Sequence, residues 1–359
     1  GDKKELHMVV TISGHQVAEI ERVYFDGQTV TLNASGEAVK NSDATSTFGS
    51  RGTEFAYNSD EETTVDEITD YNGKAEFYFR HGEADQTAIE ELIAATADLD
   101  DAQRWTEEHR QRGCAHVYMK LTFDNDIYPN GIPDISFLVR GKNDIYDPRT
   151  ETYGYTENAA LCIADYLATT EPLGIGALYD AEISTPDLIE AANICDEQVQ
   201  TDDTGNNFEA RYTINGAFEG ESAAQVIPEL AGAMAGAVVL QGTTFLLRAG
   251  AYRLPTAHFT EDDIVDSITF STLRSRADSF NGVRGIFADP DQGYQPTDFP
   301  SVEVAEYVTE DAGEEIYNDI ELNYTTSGTM AQRIARILLE EQRRQITASV
   351  VLKSVGYRV

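Results

Sequence analysis

Apolar residues occupy every second position over Ala115–Phe123, and this alternation constrains the fold more than any other feature of the chain. A repeat of two residues predicts a β-strand that is buried on one face. A turn over Tyr128–Pro133, a second alternating strand over Ile135–Val139 and a polar loop over Gly141–Thr150 follow. Thr156 can cap the next helix. The residues that define these strands, turns and caps therefore have folding roles and form no recognisable catalytic set.

The size of the chain predicts several folded domains. With 359 residues, 41% of them hydrophobic, it can bury sizeable cores and should divide into roughly two to four domains. No stretch approaches the 18 apolar residues of a transmembrane helix, and the first residues lack the pattern of a signal peptide. A start without Met and an end inside an apparent strand predict a fragment of a longer protein.

The cysteine content argues against a disulfide framework. Cys114, Cys162 and Cys195 lie within strand or helix patterns, and an odd number in a chain of this length is typical of free thiols in a reducing cytoplasm. There is no CxxC pair, and the six histidines are scattered. A structural zinc site is therefore not expected.

A net charge of −37 is the strongest compositional fact. It excludes broad electrostatic attachment to nucleic acid, because phosphate binding requires clusters of Lys and Arg. Two interpretations remain open. A carboxylate-rich surface with only seven Lys among 26 basic residues is typical of adaptation to salt, which we favour. Alternatively, the carboxylates line a lumen through which DNA passes without sticking.

The N-terminal third combines strands with a polar insertion. Apolar residues alternate in three runs over His7–Leu32, with Asp26-Gly27 as a hairpin signal, which predicts a small antiparallel sheet. Residues 33–71 are rich in Ser, Thr, Asp and Glu and contain few large apolar residues. This composition predicts an exposed insertion or extended loop.

The pattern of strand and helix resumes after the insertion. We predict a strand over Ala75–Arg80 and a helix over Gln86–Ala94, with Asp85 as its N-cap. Residues 1–32 and 72–125 are accordingly assigned to one β-rich domain with a helix.

The next part, residues 126–200, is predicted to be an α/β insertion domain. Its second helix spans Thr185–Val199, with Pro186 in the first turn and an apolar stripe on one face. The turn-rich stretch Thr201–Asn207 marks the best candidate for a domain border. Residues 201–359 then form a second, mainly β region.

Strands dominate the predicted structure of residues 201–359. A helix opens at Ser222, where Pro228 argues for a kink or a late start, and a hairpin turns at Gln241-Gly242. An amphipathic helix begins near Ser327 or Thr329. Further strands are predicted at EARYTI, ITFSTL, GVRGIF, VEVAEYV, IELNYT and ITASVVL, with a loop at ADPDQGYQPTDFP.

Acidic clusters resemble metal sites but fail on spacing. The first cluster lacks the order of an EF-hand loop because Tyr128 stands where an oxygen ligand is needed, and the cluster at Asp289 and Asp291 fails the same test. Plain turns explain both, although an adventitious Ca²⁺ at the second stays open. The first cluster consists of Asp124, Asn125, Asp126, Asn130 and Asp134.

Catalytic motifs are also absent from the sequence. Glu107 and Glu108 beside His109 could serve glycoside hydrolysis, but 63 acidic residues make such adjacency common. Gly174-Ile175-Gly176 lacks the third glycine of a dinucleotide turn. We predict no catalytic, cofactor-binding or metal-binding residues and no cofactor, which leaves a structural assembly protein.

Basic residues in the second half are interpreted as structural. Arg343 and Arg344 complement the C-terminal dipole of a helix. The remaining strand-associated arginines should pair with the acidic surplus within or between subunits; these are Arg248, Arg253, Arg274 and Arg276.

Several stretches give the chain a family resemblance. Together with the run from Trp105 to Leu167, AANICDEQV, TFLLRAGAYRLPT, FNGVRGIFADPDQGYQPTDFPSVEVAEYV and AQRIARILLEEQRRQITASV resemble the hub proteins of lambda-like phage tail tips and gene transfer agents. They occur in the same order as in that family and span most of residues 75–359. The insertion 33–71 has no counterpart that we can name.

The resemblance implies an α+β, multi-domain, mostly antiparallel β fold with split tube-like β-barrel domains and inserted α/β domains. It further implies a homotrimer that caps the tail tube. Its partners would be the distal tail protein, the C-terminus of the tape-measure protein and tail-tip proteins. Genomic DNA would pass through the lumen without specific binding.

The resemblance also implies a virion position at the tail tip, assembly in the host cytoplasm, and contact with the host envelope through C-terminal parts absent from this chain. Two alternatives stay open. The first is a tail-associated cell-wall or polysaccharide hydrolase, which rests on acidic residues alone. The second is a receptor-binding module that uses the insertion 33–71.

Overall fold

A computed structural model describes most of the chain. The described residues are 5–33, 35–38, 71–170, 172–202, 204–253, 258–271, 280–344 and 347–353. The insertion predicted at 33–71 lies almost wholly outside them. Spatial clustering divides the chain into a first unit, Gly1–Ile145 with Tyr153–Tyr155, and a second unit, Tyr146–Thr152 with Thr156–Val359. The four-part division inferred from the sequence stays a prediction.

Within the described ranges, strands outnumber helices. The strands are β1 (Glu5–Ser13), β2 (Val17–Phe25), β3 (Gln28–Val30), β4 (Ala75–His81), β5 (Ala115–Thr122), β6 (Ile135–Lys142), β7 (Ile145–Asp147), β8 (Thr152–Gly154), β9 (Gln198–Gln200), β10 (Phe208–Ala210), β11 (Ala237–Gln241), β12 (Thr244–Arg248), β13 (Thr269–Ser271), β14 (Gly282–Asp289), β15 (Gln295–Glu303), β16 (Tyr317–Leu322) and β17 (Thr347–Ser349). The α-helices are α1 (Glu90–Ala95), α2 (Ala159–Ala168), α3 (Thr185–Asp196), α4 (Ala223–Gly232), α5 (Ala305–Glu310) and α6 (Gly328–Gln342).

The predicted α+β class with mostly antiparallel sheets is confirmed. Among the described residues, the sheets have two or three strands each and none closes into a barrel. Within the same ranges, no helix combines the length and the apolar character that a membrane crossing requires.

The first unit packs two three-stranded sheets around one core. Their strand orders are β1-β5-β4 and β3-β2-β6. The sequence predicted a single small sheet over His7–Leu32, but β1 pairs with β5 whereas β2 pairs with β3 and β6. The predicted turn is present, since Asp26 and Gly27 both adopt positive φ angles between β2 and β3. Phe25 and Phe77 are among the most buried side chains of the core.

Strand β5 matches the alternation from which it was predicted, but both of its faces are covered. Met119 faces the main core. Tyr118 on the opposite face is 1% exposed because Ile89 and Leu92 pack over it. Helix α1 begins at Glu90, so the prediction that Asp85 is its N-cap was wrong.

The second unit contains helices α2, α3 and α4 beside the β11–β12 hairpin. The apolar stripe predicted for α3 is buried. Two expectations were wrong. Asn158, not Thr156, caps α2 by accepting a hydrogen bond from the Leu161 N–H, because the helix begins at Ala159. The stretch Gly141–Thr150, predicted to be a loop, contains the end of β6 and all of β7.

Helix boundaries elsewhere in this unit follow the sequence closely. Ser222 precedes α4, and Pro228 lies inside the helix without delaying its start. The β11–β12 hairpin turns through Gly242 and Thr243. The predicted strand EARYTI is mostly not regular strand, because β10 ends at Ala210 and Thr213 forms only an isolated bridge to Asn158. Thr201–Asn207 forms the loop between β9 and β10.

A three-stranded sheet, in the order β15-β14-β16, packs beside α6. Most of the predicted loop ADPDQGYQPTDFP is strand, because β14 runs to Asp289 and β15 begins at Gln295. VEVAEYV splits between β15 and α5 rather than forming one strand. Glycine is needed at Gly285, where a Cβ atom would collide with the Ile320 main-chain oxygen of the parallel neighbour β16.

Burial distinguishes the three thiols, and we expect this to govern their labelling. Cys195 is fully buried in α3, and burial raises its pKa to about 12, whereas Cys114 and Cys162 are partly exposed. Because the thiolate is the reactive species, iodoacetamide at neutral pH should label Cys195 at least about tenfold more slowly than the other two. Peptide mass spectrometry measures the rates. In denaturant all three should react alike, and rapid Cys195 labelling of the folded protein would contradict the predicted burial.

Candidate assembly surface

The acidic residues considered for hydrolysis lie on an exposed turn. The His109 ring Nδ1 lies 3.0 Å from the Thr106 main-chain nitrogen, and Arg110 donates to the Glu107 main-chain oxygen at 2.8 Å. The Glu108 side chain is 86% exposed. A general acid needs a partly desolvated setting to raise its pKa, and this turn does not provide one.

The two acidic clusters serve as folding contacts. Asp124 binds the Lys74 ammonium at 2.6 Å, and hydrogen bonds from Lys74 and from the Asp126 N–H lower its pKa. Asp289 caps a short 3-10 helix by accepting from the Asp291 N–H at 3.0 Å. Within the described ranges, no group of three or more His, Cys, Asp or Glu side chains is placed to hold a metal ion.

Other sequence candidates also have structural roles. A Cβ atom at Gly174 would collide with the main-chain oxygens of Tyr166 and Thr169, so this glycine permits close packing after α2. Arg248 pairs with Asp187 at 2.8 Å, and Arg253 pairs with Glu190 at 3.4 Å, both within the chain. The remaining two arginines of that set, Arg274 and Arg276, lie outside the described residues.

An open cleft of about 360 Å³ lies along β4 in the first unit. Its walls include Tyr78, Arg80, His81, Glu90 and Glu91. The Arg80 guanidinium donates to three main-chain oxygens, those of Phe79, Thr87 and Ala88, and is therefore committed to the fold. Structural contacts therefore fix one wall of the cleft. Among its lining residues, no acid and base are in hydrogen-bond contact with each other.

A half-buried carboxylate holds the start of α6. Glu209 accepts hydrogen bonds from the Thr329 hydroxyl at 2.6 Å, the Ser327 hydroxyl at 2.7 Å and the Arg333 guanidinium at 2.8 Å. Burial raises the pKa of Glu209, but these three hydrogen bonds outweigh burial and lower it overall. The Ser327 hydroxyl also caps the helix by accepting from the Met330 N–H. Glu209 thereby fixes the N-terminal end of α6.

A second polar network holds the other end of α6. Asn281 is 1% exposed, donates to Asp311 at 2.8 Å and to the Glu314 oxygen at 2.7 Å, and accepts from the Ile316 N–H at 2.8 Å. Asp311 in turn binds Arg343 at 2.7 Å. This network anchors the chain at the residues that precede β17.

Beyond that anchor, residues 263–271 and 347–353 run antiparallel as a two-stranded segment, which we call the ribbon. β13 pairs with β17, and Ile264 bridges to Leu352 further along. The Val265 N–H donates to Val351 and the Lys353 N–H donates to Asp263, both at 2.8 Å. Among the described residues, neither β13 nor β17 has another strand beside it.

The ribbon exposes several large apolar side chains. Val265 is 62% exposed, Phe270 61% and Val351 55%. All three residues of β13 are exposed. A two-stranded ribbon that buries so little is marginally stable alone, and exposed apolar edges are the typical position of a contact with another chain.

The part of the chain that contains most of the ribbon matches a known protein family. Residues 222–352, which include the α6 anchors at Asn281 and Ser327 and nearly all of the ribbon, match the family described as putative phage tail protein. A chain from a solved structure titled "Virion of native gene transfer agent (GTA) particle" is similar over 96% of this chain and 68% of its own length. The identity is 12% and the TM-score is 0.52, so this likeness shows the fold. No curated protein matches.

The family match supports a structural, non-enzymatic role in a phage tail. The ribbon was not found from the sequence. Both of its strands, ITFSTL and ITASVVL, were predicted, but nothing local indicated that they would pair across about 80 residues.

Proposed function

We propose that this chain is a structural hub at the distal end of a phage-type tail. As a homotrimer it would cap the tail tube, join the tube to the tip or fibre and open for DNA passage during infection. The match of residues 222–352 to a tail protein family carries this proposal. The exposed ribbon in the same residues supports it, because a structural subunit needs surfaces that other chains can cover.

The proposed partners follow from that position. They are the distal tail protein on one side, the C-terminus of the tape-measure protein inside, and tail-tip proteins on the other side. The net charge of −37 suits a wall past which DNA moves without binding, since like charges repel. Host attachment would occur through other parts of the tip.

The test is the stoichiometry and the position of the protein. Mass photometry of the purified chain should give a particle near three times 39.6 kDa. In purified tails, electron microscopy with a tagged copy should place the tag around the threefold axis at the distal end. A protein that stays monomeric in assembled tails, or a tag at the tail periphery, would overturn the proposal.

A further inference from the structure

We propose that the ribbon joins neighbouring copies of this chain head to tail, with the outer edge of β13 in one copy against the outer edge of β17 in the next. This inference rests on the proposed homotrimer. It assigns to residues 263–271 and 347–353 the contact between subunits.

The main-chain geometry leaves hydrogen-bonding groups on the outer edges, with more of them on the β17 side, because the Ile264 N–H already donates to the Glu261 oxygen at 3.2 Å. The two bonds that flank the Ile264–Leu352 bridge are Val265 to Val351 and Lys353 to Asp263. In an antiparallel pair this pattern directs the main-chain groups of the bridged residues away from the partner strand. The Leu352 N–H and C=O therefore face the outer edge of the β17 side, where an added strand could bind them.

Charge indicates which edges meet. Residues 258–271 carry Glu261, Asp262, Asp263 and Asp266 and no Lys or Arg, whereas residues 342–353 carry three basic residues and no Asp or Glu. Arg343 is bound to Asp311, and the Lys353 ammonium donates to the Asp262 main-chain oxygen of the same ribbon, which leaves Arg344 as the basic group on that side. Two acidic edges would repel each other, so the acidic β13 edge favours the β17 edge of another copy, which carries no acidic residue.

Symmetry leads to the same arrangement. A ring of three subunits is built from heterologous contacts, in which two different patches meet at every interface. The ribbon offers two unlike edges on one short element. Closing the ring also covers the exposed Phe270 and Val351, which lie one on each strand segment.

Crosslinking between two proteins that each carry one introduced, exposed cysteine tests the arrangement. In a Cys114→Ala, Cys162→Ala background, Phe270→Cys and a size-tagged Val351→Cys are co-expressed and treated with a short bismaleimide; the buried Cys195 is kept. The mixed product, a crosslink between position 270 of one copy and position 351 of another, should exceed the like–like 270–270 and 351–351 crosslinks at least about fivefold. The reason is that the Cβ atoms of opposite residues on two paired strands lie about 4.5–5.5 Å apart. Leu178→Cys, at 63% exposure, replaces one partner as the control for random collision.

Each outcome of that experiment decides something. Predominant like–like products would overturn head-to-tail pairing. A trimer whose mixed product does not exceed the Leu178 control would overturn the ribbon contact and leave the proposed trimer intact. A monomer without products would overturn both. As a second variant, Leu352→Pro removes the outward N–H and should weaken association about tenfold, while Leu352→Ala should not; equal association of the two would contradict the edge contact.

Discussion

Replacement of Glu209 by alanine is expected to lower the free energy of unfolding of the second unit by about 2–4 kcal/mol. The substitution removes the acceptor of three hydrogen bonds at the start of α6. It leaves the Arg333 guanidinium, which is 17% exposed, without its carboxylate. We place the loss below that of a fully buried pair because the Glu209 side chain retains 24% exposure and water can reach it.

The pH dependence of stability should identify the same group. Its folded-state pKa is depressed, so its contribution is present above the unfolded-state pKa and is lost as the pH falls through the folded-state value. Urea unfolding of wild type and Glu209→Gln should therefore differ most at neutral pH and converge in the acid range below the ordinary glutamate pKa. A difference that grows towards acid pH would contradict this assignment.

Glu197 provides the matched control for Glu209. It binds Arg211 at 2.6 Å, but its side chain is 57% exposed. Exposed ion pairs contribute little, so Glu197→Gln should change the free energy of unfolding by about 0.5 kcal/mol or less at neutral pH. Equal losses of unfolding free energy for Glu209→Gln and Glu197→Gln would mean that burial of the Glu209 cluster does not contribute to stability.

Replacement of Asn281 by alanine is expected to cost about 2–4 kcal/mol of unfolding free energy. The loss arises because the partly buried Ile316 loses the acceptor of its N–H, and because the Glu314 oxygen and Asp311 each lose a donor. Differential scanning calorimetry measures it as a lower melting temperature. Since Asp311 also holds Arg343 at the end of α6, the ribbon crosslink should weaken in the same variant.

Asn323 provides the comparison for Asn281, because it is an exposed asparagine in the same region. Asn323→Ala should change the free energy of unfolding by less than about 0.5 kcal/mol. If Asn281→Ala proved equally neutral, the network would not anchor α6. In that case the ribbon would be held in place by other contacts.

Local patterns were sufficient wherever a segment's neighbours lie close in sequence. The alternation that predicted β5, the Asp26-Gly27 turn and the start of α6 near Ser327 or Thr329 each depend on a few consecutive residues, and all three are present. The sequence predicted most of β14, through GVRGIF, but placed a loop at its last two residues and over most of β15. Prolines such as Pro296 and Pro300 suggested a loop, yet they fit β15 because it lies at the edge of its sheet.

The sequence by itself determined the α+β class, most element positions and the absence of a catalytic motif, because these follow from composition and from periods of two or 3.6 residues. Only the tertiary structure decided which strands pair and which polar groups are buried together. Glu209 binds Arg333, which lies 124 residues later in the sequence, and β13 pairs with β17, which lies about 80 residues later. No local preference encodes such a pairing, because its free energy comes from contacts that exist only after the chain has folded.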